Sequence, residues 1–158
     1  MIRALTGDDR ASVLDLLRAT DVFTAVELAV AEELIDIVIS KPAQTDYFAS
    51  VASDDRAVPH CAGMFILGPT PATSGTWHLY WIAVHPSYHG KGVAADLEQS
   101  AATFVRERGG YWLLAETSSL PGFERARAFY RRRGYLELAR IADYYKPADD
   151  LVMYGKRL

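Results

Sequence analysis

The sequence predicts an α+β fold: a central mixed, mostly antiparallel twisted sheet of about seven strands, flanked by about four helices. Three observations predict it. The hydrophobic period changes from helical to alternating after Pro42. Three strand-like runs then follow with no helix between them, as in an antiparallel meander. Residues 77–115 read strand, amphipathic helix, strand, which favours one parallel crossover. A chain of 158 residues fits one domain, and no repeat or linker divides it.

Each element has its own signal. Residues 1–5 form a short edge strand. A helix starts at Asp8, with Val13, Leu14, Leu16 and Leu17 on one face and Asp8 or Asp9 as its cap; Thr20 and Asp21 break it. A second helix carries Phe23, Val26, Leu28, Val30, Leu34, Ile35 and Val38 as its apolar positions and ends before Pro42. Strands at 47–52 and 58–67 flank the turn Ser53-Asp54-Asp55, and the Gly- and Pro-bearing stretch 68–75 is a loop. Residues 77–84 are almost continuously apolar, as in a strand covered on both faces. After the loop 85–92, Val93, Ala94, Leu97, Ala101, Phe104 and Val105 mark an amphipathic helix that Gly109-Gly110 end. A buried strand spans 111–115, and Phe123, Ala126, Phe129 and Tyr130 mark a short helix that Gly134 closes. Strands at 135–141 and 151–156 surround a turn over 146–150.

Composition excludes several classes. Half the residues are apolar and 23% charged, the proportions of a folded globule. The longest apolar run, 61–67, is far short of the roughly 20 residues a membrane helix needs. The first residues carry Asp8, Asp9 and Asp15 and no apolar export core, which predicts a cytoplasmic location. A net charge of −3 gives no general attraction to nucleic acid or to an anionic membrane, so an anionic ligand needs a local site. The single Cys61 sits in an apolar run away from the loops, as a small buried hydrophobe. No metal is expected: His85 and His89 stand four apart without a carboxylate in a ligand pattern, and His60 and His78 belong to no motif.

The local anion site is predicted at 90–94. A strand enters the Gly90-Lys91-Gly92 loop, which opens into a helix at Val93 and Ala94. Backbone N–H groups there point at one spot, the helix start adds about half a positive charge, and glycines let a phosphate reach the backbone. Gly90 to Ala95 also fits a loose dinucleotide fingerprint, with Glu116 where a ribose-binding acid would sit. A dinucleotide-binding oxidoreductase is therefore an alternative. Against it, the glycines lie too far behind Val84 and only one strand–helix–strand unit is available. A Walker loop is excluded because Gly92, not Ser or Thr, follows Lys91.

Residues 82–94, Ile82-Ala83-Val84-His85-Pro86-Ser87-Tyr88-His89-Gly90-Lys91-Gly92-Val93-Ala94, resemble motif A of the GNAT superfamily of N-acetyltransferases. His89 stands where that motif usually has Arg or Gln. Residues 126–135, Ala126-Arg127-Ala128-Phe129-Tyr130-Arg131-Arg132-Arg133-Gly134-Tyr135, resemble its motif B. Phe123 replaces a frequent Asn, so a side-chain contact to pantetheine is either missing or supplied elsewhere, by Ser118 or Ser119. The resemblance covers nearly the whole chain and is nearest to the ribosomal-protein and peptide-amine acetyltransferases.

That resemblance implies a single N-acetyltransferase domain over 1–158, with acetyl-CoA as cosubstrate. Pantetheine would lie along Ile82, Ala83 and Val84, and the diphosphate would rest on the stretch from His89 through Gly90, Lys91, Gly92 and Val93 to Ala94. Arg125 would meet the 3′-phosphate. Tyr130 would be the acid toward the leaving sulfur, and Glu116, directly or through water, the base; its alternative is a salt bridge to a nearby arginine. Arg127, Arg131, Arg132 and Arg133 are expected mostly on a solvated face. Phe23, Glu27, Tyr80 and Tyr144 would line the acceptor groove. Asp143, Asp149, Asp150 and Glu27 favour a cationic acceptor, a small amine or a peptide amine. The closing strands could pair across a homodimer. A non-catalytic acyl-CoA-binding module on the same fold is the other alternative.

Overall fold

A computed structural model describes residues 1–54 and 61–158. Asp55, residues 58–60 of the expected third strand, and His60 within them lie outside the described residues. The strands are β1 (Ile2–Ala4), β2 (Phe48–Ser53), β3 (Cys61–Pro69), β4 (Thr76–Val84), β5 (Trp112–Ser118), β6 (Leu136–Lys146) and β7 (Asp149–Arg157). The helices are α1 (Arg10–Ala19), α2 (Ala25–Ser40), α3 (Val93–Glu107) and α4 (Glu124–Arg132). The sheet order is β1-β2-β3-β4-β5-β7-β6. β1–β2, β2–β3, β5–β7 and β6–β7 pair antiparallel, and β4–β5 pair parallel. This is the expected α+β architecture. The chain divides into two compact units, 1–68 with 80–103, and 69–79 with 104–158.

In the first unit, Val13, Leu14, Leu16 and Leu17 of α1 and Ala31, Leu34 and Ile35 of α2 share a core with Val51, Met64, Ile66 and Ala83. Val26 and Val30, expected as apolar positions of this helix, are 74% and 42% exposed. They fall off the 31, 34, 35, 38 stripe that turns inward. The strand covered on both faces is β3, buried from Cys61 through Gly68, and not β4. In β4, Trp77, Leu79 and Ala83 are buried while Tyr80 is exposed and His78, Ile82 and Val84 are half-covered. Large aromatic side chains made that strand read as more buried than it is, since such rings often keep one edge in water.

Asp8 and Asp9 do not cap α1; no side chain does so at its Asp9 N-cap. Asp9 turns back instead. Its Oδ2 accepts the Thr6 N–H and hydroxyl, both at 2.9 Å, and its two oxygens take the Arg3 guanidinium at 2.7 and 2.8 Å. The hydrogen bond from Arg3 is the main cause holding the Asp9 carboxyl down at about 2. A carboxyl depressed in the folded state stabilises above its ordinary value and loses that contribution as pH falls through the folded one. Between about pH 4 and pH 2, therefore, Asp9→Asn is expected to lose less stability than the parent chain. Urea midpoints at pH 7 and pH 3 check this.

In the second unit, β4 and β5 register only over Thr76↔Trp112, Trp77↔Leu113 and His78↔Leu114. β5 runs to Ser118, three residues past its expected end, because β7 pairs with it as far as Ser118↔Leu151. β6 and β7 are longer than expected and joined by Pro147-Ala148, with Ala148 at φ 64°. Every residue of β6 is exposed, including Leu136, Ile141, Tyr144 and Tyr145.

Candidate active site

The loop between β4 and α3 is built to leave amides open. Pro86 starts a short 3-10 turn in which Tyr88 N–H bonds the His85 carbonyl and His89 N–H bonds that of Pro86. Gly90 and Gly92 then take φ of 76° and 83°. A Cβ at either would meet nothing within 4 Å, so conformation and not space requires glycine here. Ala95 and Asp96 N–H return to the Gly92 carbonyl at 2.9 and 3.1 Å, which starts α3. Of the amides expected to converge, Lys91 N–H is spent on the Tyr88 carbonyl at 3.3 Å. The N–H groups of Gly90, Gly92, Val93 and Ala94 have no hydrogen-bond partner among the described residues. Such a run at a helix start suits phosphate oxygens.

The side chains around this loop have fixed tasks. His89 Nε2 lies 3.0 Å from the Val84 carbonyl and ties the loop to the end of β4. His85 Nδ1 lies 2.8 Å from Ser87 Oγ. Lys91 Nζ sits over the Tyr88 ring, 5.0 Å from its centre. Gly63 lets α3 approach the sheet: a Cβ there would come within 2.7 Å of Leu97 and 2.9 Å of the Ala83 carbonyl. Ala83 is buried, and Ile82 and Val84 are half-buried. Phe23 packs against the core of the first unit. The Glu27 carboxylate accepts the Thr24 N–H at 2.7 Å and so caps α2. Tyr80 stands 37% exposed with Tyr47 edge-on at 5.7 Å. Burial pushes the Cys61 thiol up to about 11, which leaves no thiolate for nucleophilic work.

In the second unit, Glu116 lies within β5, paired with Met153, and does not end the strand. Its neighbours Ala115 and Thr117 are buried while it is exposed. The expected alternative, a salt bridge to arginine, is absent among the described residues. Glu116 Oε1 instead faces His78 Nε2 at 3.5 Å, and Thr70 Oγ1 lies 2.8 Å from His78 Nδ1. His78 carried no sequence motif. Its available signal was position: a polar residue on the open face of an otherwise apolar strand.

Tyr130 is buried on α4, stacked on Tyr154 at 5.6 Å and tilted against Tyr135 at 5.2 Å. Arg125 is exposed on the first turn of α4, and Tyr144 is exposed with Tyr145 edge-on at 5.0 Å. Of the arginines expected on a solvated face, Arg127 is buried while Arg131 is exposed. Buried Arg127 donates to the carbonyls of Ser118 and Leu120 at 2.5 and 2.9 Å, and Arg131 bonds Glu124 and the Tyr154 hydroxyl. Ser118 and Ser119, the residues offered for a side-chain contact to pantetheine, bond to the start of β7. Buried Ser118 bonds Asp149, and Ser119 Oγ accepts the Asp150 N–H at 2.8 Å. Among the described residues, no group of three or more His, Cys, Asp or Glu could hold a metal ion. No described helix is long and apolar enough to cross a membrane.

The comparisons with known proteins bear on the fold and the family. Residues 11–135 match the model of the acetyltransferase (GNAT) family. A GNAT-family protein from Desulfovibrio desulfuricans is 34% identical, with a TM-score of 0.94 over 99% of this chain and 98% of that one. The ribosomal-protein-S18-alanine N-acetyltransferase of Escherichia coli shares the fold at 18% identity, with a TM-score of 0.77 over 99% and 92%. An aminoglycoside 6′-N-acetyltransferase complexed with coenzyme A does so at 17% identity, with a TM-score of 0.76 over 99% and 96%. Among curated proteins no significant match was found. With a family model matched over most of its length and a near full-length structural relative above 30% identity, the chain belongs to the GNAT family of acetyltransferases.

Proposed function

We propose that the chain moves an acetyl group from acetyl-CoA to a primary amine by direct attack, without a covalent enzyme intermediate. The observation that carries this reading is the run of open amides at Gly90, Gly92, Val93 and Ala94 in a GNAT-family chain. They would take the diphosphate, with His89 and Lys91 shaping the loop and Arg125 reaching the 3′-phosphate. Pantetheine would lie along Ile82, Ala83 and Val84; the registered β4–β5 ladder ends at His78↔Leu114, which supports this. The family match runs through both compact units, which supports one transferase domain over 1–158.

The chemistry follows from three needs. An alkyl ammonium, with pKa about 10.4, must lose a proton; Glu116 takes it. The amine nitrogen bonds the thioester carbon, and a backbone N–H on β4 serves the developing oxyanion. The C–S bond breaks, the Tyr130 phenol supplies the proton to the sulfur, and the second proton that nitrogen sheds on becoming an amide restores the phenol through solvent. Phe23, Glu27, Tyr80 and Tyr144 are the proposed acceptor contacts, and Asp143 and Asp150 favour a cationic amine, small or peptidic. The fully exposed β6 edge is where a homodimer would pair.

Acetyl-CoA is expected to raise the melting temperature, NAD is not, and free thiol is expected to appear with at least one member of an amine and peptide panel. Tyr130→Phe is expected to lower kcat with unchanged coenzyme A affinity. No binding at millimolar acetyl-CoA overturns the reading. Binding without thiol release from any amine favours the non-catalytic acyl-CoA module.

A further inference from the structure

Glu116 has a companion that no motif announces. His78↔Leu114 is the last registered pair of the parallel β4–β5 ladder, and side chains two apart along a strand share a face, so Glu116 follows Leu114 onto the face of His78. The His78 ring is held at Nδ1 by Thr70 Oγ1 at 2.8 Å, which leaves Nε2 facing Glu116 Oε1 at 3.5 Å. Thr70 is itself anchored. Its N–H bonds the Thr76 carbonyl at 2.8 Å, and its own carbonyl accepts the Thr73 hydroxyl at 2.8 Å. The His78 side chain is 19% exposed and that of Glu116 37%.

We propose that His78 is the positioning residue for Glu116, with Thr70 fixing its tautomer. The inference rests on Glu116 being the base. A carboxylate only accepts hydrogen bonds, whereas a threonine hydroxyl donates or accepts. With a neutral ring, the arrangement that satisfies all three groups has Thr70 donating to Nδ1 and the Nε2 proton aimed at Oε1. The other tautomer sets a ring lone pair against the carboxylate. A separation of 3.5 Å is long for a formed hydrogen bond, and catalytic contacts of this kind tighten when substrate arrives. With Oε1 held from behind, Oε2 faces the incoming ammonium; it has no hydrogen-bond partner among the described residues. In the transfer, the ammonium proton goes to Glu116 and on to solvent, nitrogen bonds the carbonyl carbon, the C–S bond breaks with the sulfur taking the Tyr130 proton, and the second proton that nitrogen sheds on becoming an amide returns through solvent to the phenolate. His78 keeps its proton throughout, so its role is orientation.

Steady-state kinetics and histidine nitrogen NMR of the full chain test this. His78→Leu is expected to lower kcat about 100-fold with unchanged KM for acetyl-CoA, the scale of a misplaced reacting group. His78→Gln, whose amide N–H reaches toward the same carboxylate, is expected to recover part of that loss. The His78→Leu/Glu116→Gln double variant is expected to be no slower than Glu116→Gln alone. The NMR spectrum is expected to show the proton on Nε2, and Thr70→Val to mix the tautomers. If Glu116→Gln loses turnover while both His78 variants keep it, the positioning role is overturned and the base reading stands. If Glu116→Gln keeps turnover, the base reading fails, and this inference with it. A proton found on Nδ1 overturns the tautomer assignment without any activity measurement, even where His78→Leu fails to fold.

Discussion

Glu116→Gln is expected to lower kcat by about 10²- to 10⁴-fold at pH 7, the usual scale for removing a general base. The substitution keeps the shape and removes the charge. The side chain is 37% exposed and the β5 backbone stays paired with β7, so stability should move by no more than about 0.5 kcal/mol. The KM for acetyl-CoA should stay constant, because the proposed diphosphate contacts are backbone amides of the β4–α3 loop. The deficit has a predictable pH dependence. As pH rises toward the acceptor's own pKa, about 10.4 for an alkyl amine, more of the amine arrives already deprotonated and the base matters less. The ratio of parent to variant kcat should therefore shrink from pH 7 to pH 10. A ratio near one at pH 7 removes Glu116 from the chemistry; a large ratio that does not fall with pH makes the residue a structural or binding group.

The anion loop was legible in the sequence because its physics is local. Two glycines at positive φ and a helix start are one contiguous statement, readable without tertiary contacts. Glu116 was legible as a candidate but not in its setting. β5 extends past Ala115 because β7 pairs with Thr117 and Ser118, polar residues buried by a partner far along the chain. His78 was hidden for the same reason: its meaning comes from a parallel register with Leu114, and no local pattern encodes a register. The arginines of α4 showed the opposite failure. Their spacing resembles a solvated face, yet Arg127 is buried on two carbonyls, an arrangement fixed by the loop that precedes the helix. Asp9 reads as a helix cap by position, and it is diverted because Arg3 on the neighbouring strand offers a charged donor pair.

Gly92→Ala should separate the anion site from simple backbone strain. Gly92 holds φ 83° in open space, so an added methyl collides with nothing and acts only through conformation. An L-residue in that region costs about 1–2 kcal/mol, and part of that strain is relieved by rotating the peptide. Rotation turns an open amide away from the phosphate it would hold. A hydrogen bond to a charged group contributes about 1.5–3 kcal/mol, which converts to a rise of about 10- to 100-fold in the dissociation constant for coenzyme A. Gly109 supplies the matched control. It holds φ 75°, an added Cβ there also meets nothing within 4 Å, and it follows the far end of α3. Gly109→Ala should therefore lose similar stability in a urea titration while calorimetry finds coenzyme A affinity unchanged. If the two variants weaken coenzyme A equally, the loss is global and the amides at the start of α3 are not the anion site. If Gly92→Ala alone weakens it, what was lost is the direction of a main-chain N–H, since no side-chain contact has been removed.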